Sequence, residues 1–280
     1  MNGLKTFILI MVMTGLLVWI GSTLFGEQGI VLALGAAILL NGASYFFSDR
    51  IVLAAYRARL VGPAEAPELH AIVANLAQRA GLPLPRVAIV PDETPNAFAT
   101  GRNPEHAVVA VTEGLLRNLS RQELEGVLGH ELGHVKNRDI LIGSLCAVLA
   151  QAIMLLSRMA LWMGPRGRDD DRGGGLGGIL IAILGPIAAL LLQMAISRSR
   201  EYEADAYSAH LTGRPDMLAS ALGRLAAYNQ ELPMRDAAPA TAHMMIVNPL
   251  KAGGLMTLFA THPPLASRIE RLNALSVQAR

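Results

Sequence analysis

The sequence predicts an α-helical integral membrane protein with four hydrophobic helices and a soluble part of the α+β class. The first observation is the composition: 52% of the 280 residues are hydrophobic and only 16% are charged, whereas soluble domains carry about 25% charged residues. The second is a set of four apolar runs, each long enough to cross a bilayer as a helix. The third is a pair of short β-branched runs followed by a capped helix, an order typical of α+β domains.

The composition also restricts the partners. A net charge of +2 is too small to indicate nucleic-acid binding, and the sequence has no basic run interleaved with aromatic residues. We therefore expect a lipid bilayer as a partner and no nucleic acid, while the composition predicts no particular oligomeric state. The one cysteine, Cys146, lies in an apolar run and cannot form an internal disulfide, so we interpret it as a buried apolar side chain.

Residues 1–48 are expected to form an N-terminal transmembrane hairpin. The runs 6–26 and 28–48 contain no charged side chain and are separated by a short polar tip at Glu27. About 20 apolar residues cross the hydrocarbon core of a bilayer as a helix, so each run is long enough. The alternative for the first run is a cleaved signal peptide, but its apolar core is long for such a segment and no clear A-x-A cleavage site follows.

Positive charge flanks both outer ends of this hairpin. Lys5 precedes it, and Arg50, Arg57 and Arg59 follow it. Because lysine and arginine are enriched on the cytoplasmic side of membrane proteins, both ends are expected to lie in the cytoplasm. The sequence therefore predicts a multi-pass membrane protein whose soluble part faces the cytoplasm.

Residues 49–139 are expected to form the first part of the soluble domain. Apolar residues at helical spacing over 67–82 predict a helix that ends at a glycine before a proline. Two β-branched runs, 86–90 and 106–112, predict strands. The segment 95–101 between them is interpreted as extended or turning.

A capped helix follows these strands. Ser120 and Glu123 form an S-x-x-E capping box, which is a signature of a helix N-terminus. Leu124, Val127 and Leu128 then follow at helical spacing. The residues after this apolar stretch are therefore expected to continue the same helix.

This helix carries an H-E-x-x-H motif at residues 130–134. Residues four apart lie on the same face of a helix, so His130 and His134 can direct two imidazoles at one ion. This spacing is typical of zinc sites, and Glu131 lies close enough to take a proton from water beside the ion. The alternative is a chance occurrence of the motif, so the zinc interpretation requires a third ligand further along the chain.

Residues 140–197 are expected to form a second hydrophobic hairpin. The run 140–157 has no charge, the glycine-rich loop 164–175 follows, and the run 173–197 is again free of charge. Length and composition favour helices that span the membrane or are embedded in it, and a buried soluble hairpin is the alternative. The acidic triplet of the loop is interpreted as solvated rather than as a cation site.

Residues 198–280 are expected to complete the soluble domain, with an amphipathic helix at 214–230. Glu201 and Asp205 are four residues apart on another predicted helix. A zinc site with two histidines and one glutamate needs a carboxylate from a second helix, and Glu201 fits that demand. Asp205, one turn later, fits a partner for the free N–H of His130. The pattern alone is weak, because most acidic pairs on helices are solvated.

The positions of the third and fourth apolar runs support a shared site. His134 lies five residues before Asp139, where the third run begins, and Glu201 lies four residues after Ser197, where the fourth run ends. An antiparallel pair of spanning helices returns the chain to the side it left, so both halves of the site would meet at the cytoplasmic face. Asp139 would either orient His134 from one turn below or simply mark the membrane boundary.

Five segments spread over nearly the whole chain closely resemble the HtpX family of bacterial inner-membrane zinc metalloproteases and the related CAAX-prenyl endoproteases. They are PNAFATG, VTEGLL, GHELGHVKNRDI, SRSREYEADAYSA and THPPLASRIERL. The resemblance implies a zincin-like (gluzincin) fold with one Zn²⁺ per chain, held by His130, His134 and Glu201, and with Glu131 as the general base. It also implies polypeptide substrates, namely damaged or misassembled membrane proteins cleaved at the cytoplasmic face as part of stress response and protein quality control.

Four further residues are candidates for the site. In the related proteases a histidine in the H-P-P context lies near the active site, so His262 is a candidate donor to the developing oxyanion or, alternatively, a structural helix cap. Arg268 is interpreted either as an anchor of the terminal helix to an acidic group or as a solvated side chain. The backbone at Asn96 and Ala97 would pair with a substrate as an added strand, or would be an ordinary edge strand.

The predicted activity is zinc-dependent hydrolysis of internal peptide bonds. The sequence has no signature of a serine or cysteine nucleophile such as G-x-S-x-G. A zinc-binding membrane scaffold or chaperone is the alternative, but a structural zinc site has no use for Glu131 beside His130. A transporter is disfavoured, because no charged residue lies near the centre of any apolar run.

Overall fold

The computed structural model describes four stretches of the chain. They are residues 2–150, 198–231, 244–246 and 263–278. The predicted loop 164–175, the fourth apolar run 173–197 and His262 lie outside the described residues.

The N-terminal helical element, α1 (Asn2–Ala55), is folded back on itself at Gly26. Gly26 has φ 62° and ψ −145°, a backbone conformation that is open to glycine because it has no Cβ, and this conformation interrupts the helix. The two arms lie side by side, since Asn41 donates a hydrogen bond from Nδ2 to Oγ1 of Thr14 over 3.1 Å. α1 is therefore an antiparallel helical hairpin rather than one continuous rod.

Four strands form one mixed sheet in the order β1-β2-β4-β3. They are β1 (Arg59–Val61), β2 (Arg86–Val90), β3 (Ala97–Thr100) and β4 (Val108–Thr112). β2 and β4 pair in parallel, and both outer strands run antiparallel to their neighbours. The strands predicted from the β-branched runs are confirmed as β2 and β4, and the segment between them contains the edge strand β3. The sequence does not predict β1, because three residues are too few to show a period.

Seven further α-helices lie in the described part of the chain. They are α2 (Pro67–Ala80), α3 (Glu113–Asn118), α4 (Arg121–Lys136), α5 (Asp139–Ala150), α6 (Arg198–Thr212), α7 (Pro215–Glu231) and α8 (Leu265–Gln278). The predicted capping box at the start of α4 is confirmed: Oγ of Ser120 accepts from the N–H of Glu123, and the Glu123 carboxylate accepts from the N–H of Ser120. Helices α2, α4 and α7 lie where the helical spacing predicts them.

The second arm of α1, Gly26–Ala55, is long and apolar enough to cross a membrane. Its most exposed apolar side chains are Val31, Leu32 and Leu39, each at least 70% exposed. Thr6–Trp19 in the first arm and Asp139–Ala150 are apolar but shorter. Within the described stretches, one of the four predicted membrane helices thus has both the length and the composition of a full span.

The sheet is buried on both faces. Val109 and Val111 of β4 point into the main core, which α2, α4 and α7 complete, while Val108 and Ala110 point into a second core on the opposite face. The second core also contains Tyr56, which follows directly after α1. The helical hairpin and the sheet are therefore packed together as one unit.

Helix α4 packs closely against α6 through glycines. Gly129 and Gly133 are four residues apart, which places them on one side of α4. Gly133 lies against Ala204, and Gly129 lies against Ser208, whose hydroxyl donates to the carbonyl oxygen of Gly126 over 2.6 Å. Because glycine has no side chain, the two helices approach closely enough for their neighbouring side chains to meet.

Replacing Gly129 by alanine is expected to lower the free energy of unfolding by about 1–3 kcal/mol, the usual cost of overpacking. The added Cβ would lie 2.8 Å from Oγ of Ser208, so Ser208 would have to move and lose its hydrogen bond. The matched control is Gly223→Ala in α7, where no described atom lies within 4 Å of the added carbon. This control is expected to raise stability by up to about 1 kcal/mol. Denaturant unfolding in detergent measures both variants, and equal effects would contradict the close approach of α4 and α6.

Candidate metal centre

Two helices bring the three predicted metal ligands together. α4 supplies His130 and His134, and α6 supplies Glu201. The Nε2 atoms of the two histidines lie 3.2 Å apart. The carboxylate oxygens of Glu201 lie 3.5 Å from Nε2 of His134 and 3.8 Å from Nε2 of His130. One candidate ligand atom from each residue therefore faces a single point between the helices.

A carboxylate holds the other ring nitrogen of each histidine. Oδ1 of Asp205 lies 2.9 Å from Nδ1 of His130, and Oδ2 of Asp139 lies 3.3 Å from Nδ1 of His134. An ionised carboxylate can only accept a hydrogen bond, so each Nδ1 donates and each Nε2 presents a lone pair. Two lone pairs at 3.2 Å repel each other unless a proton or a metal ion lies between them.

This donor set fits a zinc ion. Nitrogen and oxygen ligands at about 2.0–2.1 Å from a tetrahedral zinc ion are roughly 3.3 Å from each other. The two Nε2 atoms, 3.2 Å apart, are close to that value, and each has an oxygen of the Glu201 carboxylate within 3.8 Å, Oε1 for His134 and Oε2 for His130. Two imidazoles and one carboxylate are also a ligand set typical of catalytic zinc sites.

The charges around the site set the protonation of the two histidines. Burial lowers the pKa of His130. Burial also lowers the pKa of His134, but the hydrogen bond to Asp139 and the negative charges of Glu201 and Glu131 outweigh it and raise that pKa to about 9. At neutral pH the pair therefore carries one proton more than two neutral imidazoles, and a bound metal ion takes the place of that extra proton.

Glu131 lies beside the two histidines and is only 2% exposed. Burial raises the pKa of its carboxyl group to about 7, although the backbone N–H of Ala99 in β3 donates a hydrogen bond to it. A carboxyl group with a pKa near the working pH can both accept and return a proton. The sequence does not predict the hydrogen bond between Ala99 and Glu131, because a backbone N–H is present at almost every residue and marks none of them.

Arg268 of α8 is fully buried and lies against the carboxylates of α6. Its Nε lies 2.8 Å from Oδ2 of Asp205 and its Nη2 lies 2.7 Å from Oδ1, a bidentate pair. Nη1 donates to the carbonyl oxygen of Ile246 over 3.0 Å and lies 3.4 Å from Oε2 of Glu201. Of the two interpretations of Arg268 from the sequence, the anchor is confirmed and the solvated side chain is wrong.

Replacing Arg268 by methionine is expected to lower the free energy of unfolding by about 3–5 kcal/mol, because the buried charge of Asp205 would lose its partner. The matched control is Arg271→Met, one turn along α8, where the exposed guanidinium lies 4.1 Å from the ring centroid of Tyr202. Loss of that cation–π contact is expected to cost about 1 kcal/mol or less. Thermal unfolding of both variants measures the difference, and a similar loss in the two would refute the buried-pair argument.

Asn96 and Ala97 lie at the start of the edge strand β3. Asn96 is buried, and its Oδ1 accepts a hydrogen bond from the N–H of Ala97 over 3.0 Å. The carbonyl oxygen of Ala97 accepts from the N–H of Ile246 over 3.1 Å. The N–H and the carbonyl oxygen of Ala97 point away from β4, and both already form hydrogen bonds within the protein.

A model of peptidase family M48 matches residues 63–276 of the chain. Two curated relatives are both named "Protease HtpX homolog". The protein from Desulforapulum autotrophicum is 55% identical over 276 residues, which are 97% of this chain and 89% of that protein. The protein from Thermococcus kodakarensis is 55% identical over 277 residues, which are 98% of this chain and 96% of that protein.

One solved structure, that of S. mikatae Ste24p, is similar in fold. The two chains align with a TM-score of 0.50 and 19% sequence identity. The alignment covers 97% of this chain and 65% of the Ste24p chain, so the protein spans a little under two thirds of that relative. All three candidate metal ligands fall inside the range that the family model matches.

Proposed function

The chain belongs to peptidase family M48, which confirms the resemblance seen in its sequence, and on that premise we propose that it is a zinc-dependent membrane endopeptidase. It is a metalloprotease of the HtpX type. The observation that carries the zinc assignment is the convergence of His130, His134 and Glu201 on one point, with Glu131 beside them. We propose that the substrates are damaged or misassembled membrane proteins, cleaved at the cytoplasmic face.

The chemistry follows from the arrangement of the chain's own groups. A zinc ion held by the two histidines and Glu201 would supply Lewis acidity, which activates water and polarises the scissile carbonyl. Glu131 accepts a proton from the attacking water and passes it to the leaving amine nitrogen. The raised pKa of Glu131, about 7, suits both transfers near neutral pH. A non-proteolytic zinc scaffold would have no use for this buried carboxyl group.

We propose that the substrate backbone pairs with β3. This strand is at the edge of the sheet, and the backbone N–H of Ala99 bonds the Glu131 carboxylate, so a peptide along β3 passes beside the general base. At Ala97 such a peptide would replace Ile246 as the donor to the carbonyl oxygen. Asn96 acts here as a positioning residue: its side-chain oxygen accepts a hydrogen bond from the N–H of Ala97 and so fixes the backbone at the start of β3.

Two further parts of the proposal have separate support, the first from the resemblance to the family. His262, which precedes the buried Pro263 at the start of α8, is proposed to donate a hydrogen bond to the oxyanion. The cytoplasmic placement is supported by the basic residues that flank the hairpin and by the exposed apolar surface of Gly26–Ala55.

The direct test measures metal content and proteolysis together. The purified full-length protein is expected to bind one zinc ion per chain and to cleave an unfolded protein substrate in detergent or vesicles. A chelator is expected to abolish cleavage, and added zinc is expected to restore it. Undiminished cleavage by metal-free protein would overturn the proposal.

A further inference from the structure

A basic cleft lies at the end of the membrane helix, away from the metal centre. It has a volume of about 430 Å³, and the residues that define it here are Phe46, Phe47, Arg50, Arg86, Arg102 and His106. Asp49 also lines it and forms an ion pair with Arg86. Three guanidinium groups against one carboxylate leave an excess of two positive charges. The basic cleft therefore has the electrostatics of an anion site.

Two of the arginines have donors to spare. The guanidinium of Arg50 lies 5.6 Å from the ring centroid of Phe47 and has no carboxylate partner among the described residues. Arg102 donates to the carbonyl oxygen of Phe46 over 3.3 Å and to Nε2 of His106. These two contacts use part of its five N–H donors and fix the direction of the guanidinium plane.

His106 acts as an acceptor in this cleft. Its Nδ1 lies 2.7 Å from Oδ1 of Asn103, an oxygen that can only accept, so Nδ1 carries the proton. Nε2 is then free to accept the hydrogen bond from Arg102. The imidazole therefore bridges Asn103 and Arg102 and holds the guanidinium in place.

The depth of the cleft matches the headgroup layer of a bilayer. The charge-free run 28–48 has a length of about 31 Å as a helix, at about 1.5 Å per residue. The hydrocarbon core is about 30 Å thick, so Asp49 and Arg50 lie where the phosphates of lipids lie. Phe46 and Phe47 are 58% and 47% exposed, one turn earlier on the hydrocarbon side.

We propose that the basic cleft binds the phosphate of an anionic phospholipid. Arg50 and Arg102 donate to the phosphate oxygens, with Arg86 as a third cationic group, and an acyl chain lies along Phe46 and Phe47. The adjoining aromatic side chains favour a lipid over a free phosphate ion. The inference rests on the membrane placement in the proposed function.

A lipid bound here would also hold the end of β3. Arg102 lies two residues beyond the last residue of this strand. Thr100, that last residue, shares a hydrogen bond of 2.8 Å with Ser144 of α5. Binding at the basic cleft is therefore expected to raise the temperature at which the protein unfolds.

The test uses full-length protein carrying Glu131→Gln, so that proteolysis does not interfere. The protein is reconstituted into vesicles of phosphatidylcholine alone or of phosphatidylcholine mixed equally with phosphatidylglycerol. Lipids that remain bound after detergent extraction are counted by mass spectrometry, and the unfolding temperature is measured. The double variant Arg50→Gln/Arg102→Gln is compared with Arg117→Gln/Arg121→Gln, which removes the same charge from exposed side chains elsewhere.

Preferential retention of phosphatidylglycerol, together with a higher unfolding temperature, is the expected result. The variant at Arg50 and Arg102 is expected to retain at least about tenfold less of this lipid, because each charge-assisted hydrogen bond that is lost costs about that factor or more, and the control pair is expected to retain it fully. Equal retention in the two double variants would overturn the site.

Inorganic phosphate added to lipid-free protein in detergent separates the two sources of phosphate. If inorganic phosphate raises the unfolding temperature and phosphatidylglycerol does not, the assignment of the site to a lipid is wrong. A protein that inserts into both vesicles without lipid preference refutes only the basic cleft. A protein that inserts into neither refutes the membrane placement and the basic cleft together.

Discussion

Replacing Glu131 by glutamine is expected to lower kcat for peptide cleavage by about 10²–10⁴-fold, the usual contribution of a general base. Glutamine has the same shape and can still accept the hydrogen bond from the N–H of Ala99. The amide cannot take a proton from water, however, and so the step that creates the nucleophile fails. The zinc content is expected to remain one ion per chain, because none of the three ligands is altered.

The matched control for this variant is Glu125→Gln on the same helix. Glu125 is partly exposed and pairs with Arg121, so its loss is expected to leave kcat within about twofold, as for an ordinary surface substitution. Peptide cleavage and metal analysis on the same preparations give both readouts. Full activity in Glu131→Gln would remove the proposed mechanism, and loss of zinc would indicate a ligand instead of a base.

Replacing Glu201 by glutamine is expected to weaken zinc binding by more than about 100-fold and to abolish cleavage in parallel. Loss of a group that only orients a ligand already costs about 10–100-fold in metal affinity. Glu201 supplies the negative charge that faces both Nε2 atoms at 3.5 and 3.8 Å. A neutral amide binds a divalent cation far less strongly than a carboxylate does.

Glu203→Gln is the matched control, because Glu203 lies two residues along α6 and is exposed. It removes the same charge from the same helix and is expected to leave the zinc affinity unchanged. Competition with a zinc-binding dye measures the affinity of each variant. Unchanged zinc binding in Glu201→Gln would remove this residue from the ligand set.

The candidate site was largely predictable because its signals are local. His130 and His134 share a helix, and their spacing alone places two imidazoles on one face. Glu201 and Asp205 repeat that geometry on a second helix. The helix α4 itself is also predicted from neighbouring residues, namely the capping box and the apolar residues at helical spacing that follow it.

The rest of the site depends on contacts between distant parts of the chain. Arginine is almost never fully buried unless it is paired, and Arg268 lies 63 residues from its partner Asp205. Nothing near Arg268 in sequence marks it as paired. The contact of Ile246 with Ala97 is likewise a backbone bond between remote segments.

One signal of tertiary packing is present in the sequence itself. Gly126, Gly129 and Gly133 fall on one face of a helix in which each glycine costs about 1 kcal/mol relative to alanine. Three such residues on one face indicate that another helix lies against them. In the structure Gly129 and Gly133 lie against α6, which brings the two ligand sets together, while Gly126 lies against Leu218 of α7.

The packing of Tyr56 on the sheet fixes the helical hairpin to strand β3. The ring of Tyr56 lies 5.2 Å from that of Phe98 in β3, the strand along which we propose that substrates bind. Only three residues, Tyr56, Arg57 and Ala58, separate α1 from β1, so if α1 crosses the membrane as we propose, β3 is held at a fixed distance from the lipid. A substrate segment would then be cleaved only within that distance of the membrane surface. Mapping the cleavage sites along a membrane-protein substrate would measure the distance.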